Sequence, residues 1–132
     1  MGTHPEGIEE MVPAWFGETT NGSVLAMFSY EPSDPFAVTA RFTTGDLEVS
    51  WTFGRELLRE GLLGTSGLGD VRFSHRNRRE INLDLVSPDG SARIVCDATA
   101  LNRFLARSYA LLPAGQECDY LDLDSWLTRL TI

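Results

Sequence analysis

The chain has 132 residues, enough for one domain with its own core, and 42% of them are hydrophobic, an ordinary share for a globular protein. Its formal charge is −8, from 19 acidic residues against 11 arginines and no lysine, which disfavours non-specific binding to nucleic acid or to an anionic bilayer. No basic segment leads into an apolar run and no stretch approaches 18 apolar residues, so the chain is expected to be cytoplasmic, reaching a membrane only through a partner.

Residues 1–21 read as a flexible amino-terminal stretch with an edge strand, and residues 22–132 as the domain. Met11 to Phe16 is apolar apart from Pro13, whose missing amide hydrogen suits an edge. Thr19-Thr20-Asn21-Gly22 is a turn, and Ser23 to Tyr30 a strand that ends at Pro32-Ser33-Asp34-Pro35. Phe36 to Phe42 and Leu47 to Phe53 alternate with period two around Thr43-Thr44-Gly45-Asp46, which predicts a hairpin. Its buried face carries Phe36, Val38, Ala40 and Phe42 opposite Leu47, Val49, Trp51 and Phe53.

Arg55 to Glu60 reads as a short helix stopped by Gly61, with Leu57 and Leu58 inward. Asp70 to Ser74 and Ile81 to Val86 are strands around a basic loop, and Pro88-Asp89-Gly90 turns into a strand over Ala92 to Cys96. Asp97 or Thr99 caps a helix to about Tyr109, on which Leu101, Phe104, Leu105 and Tyr109 form one stripe. Residues 118–121 read as a last short strand, and Asp122 or Asp124 opens a terminal helix carrying Trp126, Leu127 and Leu130 on one side.

No motif in the chain points to catalysis. Gly61 to Gly69 satisfies neither phosphate-loop nor dinucleotide spacing, and a chain without lysine lacks the usual phosphate-contacting side chain. Glu117, Asp119, Asp122 and Asp124 follow no calcium-loop pattern, and two of them serve as helix caps. His4 and His75 stand beside no nucleophile. Cys96 reads as a small core residue; a disulfide to Cys118 stays open. No cofactor, metal or small-molecule substrate is expected. The basic loop with Arg72, His75, Arg76, Arg78 and Arg79 leaves three readings open: a surface for an acidic partner, a solvated hairpin, or a nucleic-acid contact.

Five blocks together carry a resemblance. They are Tyr30 with Asp34-Pro35-Phe36-Ala37-Val38 and Phe42; Trp51, Phe53, Arg55, Glu56, Leu57, Leu58 and Gly61; Gly67, Gly69, Asp70 and Val71; Ser87-Pro88-Asp89-Gly90; and Phe104-Leu105 with Leu112-Pro113-Ala114-Gly115-Gln116-Glu117. In this order they resemble the SsgA-like sporulation and cell-division proteins of filamentous actinobacteria, over about residues 22–130, with an extent most like the SsgB-type members. The family pattern has Tyr where Phe36 stands and Ala where Gly54 stands.

The resemblance implies an α+β fold of two antiparallel β-sheets with packed helices, similar to the Whirly single-stranded-DNA-binding proteins, assembled as a homotrimer. It also implies a non-enzymatic role at the division septum, in which an SsgA-type paralogue positions an SsgB-type member that recruits the tubulin-like protein FtsZ. The alternative, a Whirly-like single-stranded nucleic-acid binder, rests on fold and the one basic loop, and the charge opposes it. On the assembly reading, Arg72, Arg76, Arg78 and Arg79 face a partner, while Val12, Trp126, Leu127 and Leu130 contribute to a subunit interface.

Overall fold

In the computed structural model residues 7–17, 23–64 and 66–117 are described. The chain runs β1 (Ile8–Phe16), β2 (Ser23–Tyr30), β3 (Ala37–Thr44), β4 (Leu47–Gly54), α1 (Arg55–Leu63), β5 (Ser66–Leu68), β6 (Val71–His75), β7 (Glu80–Ser87), β8 (Gly90–Asp97) and α2 (Ala98–Leu111). The strands make one antiparallel sheet in the order β4-β3-β2-β1-β8-β7-β6-β5.

This corrects the expectation of two sheets. Two meanders, β1 to β4 and β5 to β8, are joined where Ala14, Trp15 and Phe16 pair with Cys96, Val95 and Ile94. Those three pairs unite strands some 80 residues apart in sequence, a link that local alternation cannot announce. The same seam makes β1 an inner strand at its carboxyl end, not the expected edge: β1 pairs with β2 along its length and with β8 at its last three residues. Pro13 precedes the doubly paired stretch, where one side of the strand still lacks a ladder and a missing amide hydrogen is tolerated.

The sheet is curled into a half-barrel. Six strand spacings separate β4 from β6 in the order, about 29 Å if the sheet were flat. Yet the rings of Phe53 on β4 and Phe73 on β6 meet edge-on with centroids 5.3 Å apart. Phe28 on β2 extends the aromatic cluster, touching Phe42, Phe53 and Phe104 at 6.1, 6.3 and 5.8 Å. Val12, Ala26, Val38, Ala40, Ile81 and Leu83 fill the concave face around it. Period-two alternation thus places the inward residues as the sequence predicts.

Two helices cover part of that face. The Asp97 carboxylate caps α2 by accepting from the Ala100 amide at 2.8 Å, and Leu101, Phe104 and Leu105 are buried as the stripe requires. Helix α1 runs through Gly61 to Leu63, three residues past the predicted end at Glu60. Gly61 is a close-approach residue, not a terminator: a Cβ there would lie 2.4 Å from Cβ of Phe73. The cover is incomplete. Leu47 and Val49 on β4 are 69% and 51% exposed, although both were expected in the core; Phe36, ahead of β3 and beside the opposite, Phe53 end of β4, was expected there too and is 51% exposed. The helices reach β4 at its Phe53 end and leave the other end open.

Candidate functional site

Arg55 brings three of the motif blocks together. It is the first residue of α1, directly after β4, and it is 1% exposed. Its guanidinium lies between the rings of Tyr30 and Tyr109, 4.6 and 4.1 Å from their centroids. One terminal nitrogen donates to the carbonyls of Ser108 and Leu112 at 3.0 and 2.8 Å, at the end of α2, where the Ser108 oxygen also accepts the capping Leu112 amide at 2.9 Å. The other donates to Glu117 Oε2 at 3.0 Å, while Glu117 Oε1 accepts from the Gly115 amide at 2.7 Å. Its Nε finds no hydrogen-bond partner among the described residues. The Tyr30 hydroxyl in turn donates to the Pro35 carbonyl at 2.8 Å, fixing the Asp34-Pro35 turn.

The electrostatics follow from this packing. Burial pushes both tyrosine hydroxyls above their ordinary value, with the guanidinium pulling the other way. For Glu117, burial acts to raise the carboxyl, but hydrogen bonds from backbone amides and from Arg55 outweigh it and hold the group below the usual carboxylate range. Glu117 is thus a half-buried counter-ion to Arg55. Asp119, Asp122 and Asp124 lie outside the described residues. Sequence reading weighed Arg55 only as a motif letter; the signal it missed was one arginine opening an otherwise apolar helix face.

The basic loop is the β6–β7 hairpin. Arg76, Arg78 and Arg79 are exposed on it, with Arg76 reaching Asn82 Oδ1 at 3.4 Å. Asn77 shapes the turn by accepting from the Arg79 amide at 2.8 Å. Arg72 does not join them. It stands on β6 opposite Asp84, which binds Arg93 at 2.7 and 3.1 Å, so it belongs to a row of mixed sign. His75 leaves the cluster too, its Nε2 lying 3.0 Å from the Leu62 carbonyl at the end of α1.

Val12, expected at a subunit interface, is 1% exposed within the protomer's own core. Trp126, Leu127 and Leu130 lie outside the described residues. Cys96 is a free, buried thiol, which burial pushes up to about 12, so it is neither disulfide-bonded nor a ready nucleophile. Among the described residues no group of three or more His, Cys, Asp or Glu is arranged to hold a metal, and no helix is long and apolar enough to cross a membrane.

Beyond the ends of the helices the concave face opens into a cleft of about 330 Å³. Leu47, Val49 and Trp51 of β4 form one wall, Phe42 and Ile94 line it, and Leu85 with the β7–β8 turn at Asp89 and Gly90 forms the far lip. The described surface thus carries an apolar cleft and a basic hairpin.

Comparison with known proteins identifies the family. The family described as Streptomyces sporulation and cell division protein, SsgA, matches residues 24–117. The chain is 43% identical over 120 residues to the sporulation-specific cell division protein SsgB of Kineococcus radiotolerans, covering 85% of this chain and 73% of that one. It is 42% identical over 112 residues to SsgB of Streptomyces coelicolor, covering 81% of each. Among solved structures, the SsgA-like sporulation-specific cell division protein of Thermobifida fusca superimposes with a TM-score of 0.82 at 36% identity, over 98% of both chains. A Streptomyces coelicolor structure, from work correlating mutations in SsgB with longitudinal cell division during sporulation, also gives 0.82, at 33% identity over 92% of this chain and all of the other. The chain belongs to the SsgA-like family of sporulation and cell-division proteins, and its relatives are named for cell division rather than for a reaction.

Proposed function

We propose that this protein is a non-enzymatic, SsgB-like septation factor that marks septum sites and recruits the tubulin-like protein FtsZ or promotes its assembly. It works in the cytoplasm at the division septum, as a homo-oligomer of trimeric form, alongside an SsgA-type paralogue. The observation that carries this reading is the 43% identity, over most of the chain, to a protein named as sporulation-specific cell division protein SsgB. The exposed arginine hairpin supports it as a contact surface, with Arg76, Arg78 and Arg79 at its centre and Arg72 at its margin. Trp126, Leu127 and Leu130 are the proposed subunit contacts.

Co-sedimentation with FtsZ from the same organism, with and without GTP, tests the reading. The protein should pellet with polymer above the level of an unrelated protein of similar negative charge. A supernatant that retains all of it while FtsZ polymerises would sink direct recruitment.

A further inference from the structure

The two edges of the sheet are unlike. Edge strand β5 has three residues and is packed against α1. Edge strand β4 has eight, Leu47-Glu48-Val49-Ser50-Trp51-Thr52-Phe53-Gly54, and among the described residues pairs only with β3. Proteins shield such edges with proline, lysine, bulges or a covering element. β4 has no proline and no lysine, it pairs with β3 in unbroken register, and its one charge, Glu48, is engaged by Arg41 at 3.4 Å.

The free amides on that edge can be assigned. β3 and β4 are joined by the two-residue turn Gly45-Asp46, with Gly45 at φ +58°. In such a hairpin the flanking residues Thr44 and Leu47 form the hydrogen-bonded pair, and bonded pairs then alternate along the ladder. The backbone N–H and C=O groups of Glu48, Ser50 and Thr52 therefore point away from β3. The hydroxyls of Thr39 and Thr52, opposite one another at 3.2 Å, fit the closer side-chain approach of a non-bonded pair.

We infer that β4 is a docking edge for an extended segment of a partner protein, which adds a ninth strand and lays alternate apolar side chains into the cleft between β4 and the β7–β8 turn. Main-chain hydrogen bonds to Glu48, Ser50 and Thr52 supply affinity, and contacts with Leu47, Val49 and Trp51 supply selection. The added strand is taken to continue the antiparallel pairing of the sheet, and charge then sets the composition of the segment. Asp89 on the cleft lip and Asp46 in the β3–β4 turn both lie at the Leu47 end, and no arginine lines the cleft. An antiparallel segment brings its carboxyl end there, so it carries basic residues after its apolar ones. On a chain of charge −8, a second copy is the less complementary occupant. The inference rests on the reading that the protein holds other proteins, and it does not require that the partner be FtsZ.

The probe is the amidated peptide Thr-Val-Thr-Val-Thr-Val-Arg-Arg, titrated by fluorescence anisotropy against the full chain. Controls are the same peptide N-methylated at alternate residues and one ending in two glutamates. Saturable binding to the parent peptide, at least tenfold weaker for both controls and for a Ser50→Pro variant, is expected. Ser50→Pro removes one outward amide and no β3–β4 bond, so its circular dichroism and melting should match the parent chain. A Val49→Ser variant, which keeps every amide, reads the cleft contact alone. No binding to the parent chain, or equal binding by the N-methylated peptide, overturns the inference.

Amide exchange at Glu48, Ser50 and Thr52 in the free chain separates the occupants. Fast exchange that slows when peptide is added supports a partner. Protection that grows with protein concentration assigns the edge to a second copy, and protection independent of concentration assigns it to the chain's own residues; either overturns the inference. Peptide binding without FtsZ co-sedimentation leaves the docking edge standing and rejects the recruitment reading. FtsZ co-sedimentation without peptide binding does the reverse.

Discussion

Arg55 is the residue on which most of the local order converges, and its energetics follow from burial. A charge this deep persists because two aromatic faces, two carbonyls and a carboxylate surround it. Removing one partner of such a pair strands the other, at a cost of about 3–5 kcal/mol. Arg55→Ala should lower stability by that amount in urea titration, while Glu117→Gln, which keeps a neutral acceptor, should lose about 1–3 kcal/mol. The same pair sets an acid dependence. Because the folded carboxyl of Glu117 lies below its unfolded value, the unfolded chain binds the proton more tightly. Its contribution is complete above the ordinary glutamate value of about 4.3, and it is lost as pH falls through the lower folded value. Stability measured from pH 6 to 3 should therefore fall less steeply in Glu117→Gln than in the parent chain. None of this was legible in the sequence, because residues 55 and 117 are linked only by folding; the motif blocks marked both positions without giving the reason.

At the level of elements, periodicity succeeded where one partner decides the face and failed where the partner stops short. β3 and β4 alternate as expected, and Val38, Ala40, Phe42 and Phe53 are buried. Leu47 and Val49 share that face yet are exposed, because no helix extends over them; a pattern records which way a side chain points, not what covers it. Helix α1 teaches the converse. Gly61 has the look of a helix stop, but it sits inside the helix because Phe73 occupies the space a side chain would need. Gly61→Ala should therefore destabilise by about 1–3 kcal/mol through overpacking, despite the better helix propensity of alanine, and thermal melting would show it. The β6–β7 hairpin carries its own prediction. Replacing Arg76, Arg78 and Arg79 with alanine should weaken FtsZ pelleting and flatten its salt dependence while leaving the melting curve in place. Equal pelleting at low and moderate salt would remove the hairpin from the contact surface.

For the whole molecule, the α+β class and the family followed from the sequence, but the number of sheets did not. Each meander is held by hairpins and short links, whereas their union depends on Ala14, Trp15 and Phe16 meeting Cys96, Val95 and Ile94. That asymmetry has a kinetic meaning. Hairpins close short loops quickly, whereas the seam must close a loop of about 80 residues before it yields any contact energy. Ordering the seam should therefore follow the hairpins. Val95→Ala should speed unfolding with little change in the folding rate, while Val38→Ala, inside the β3–β4 hairpin, should slow folding; stopped-flow chevrons would separate the two. Until the seam forms, the chain is two open four-stranded sheets, with β1 and β8 as free edges in addition to β4 and β5. Crowded refolding is thus the condition in which neighbouring copies can trade partners, and in which yield should depend most steeply on protein concentration.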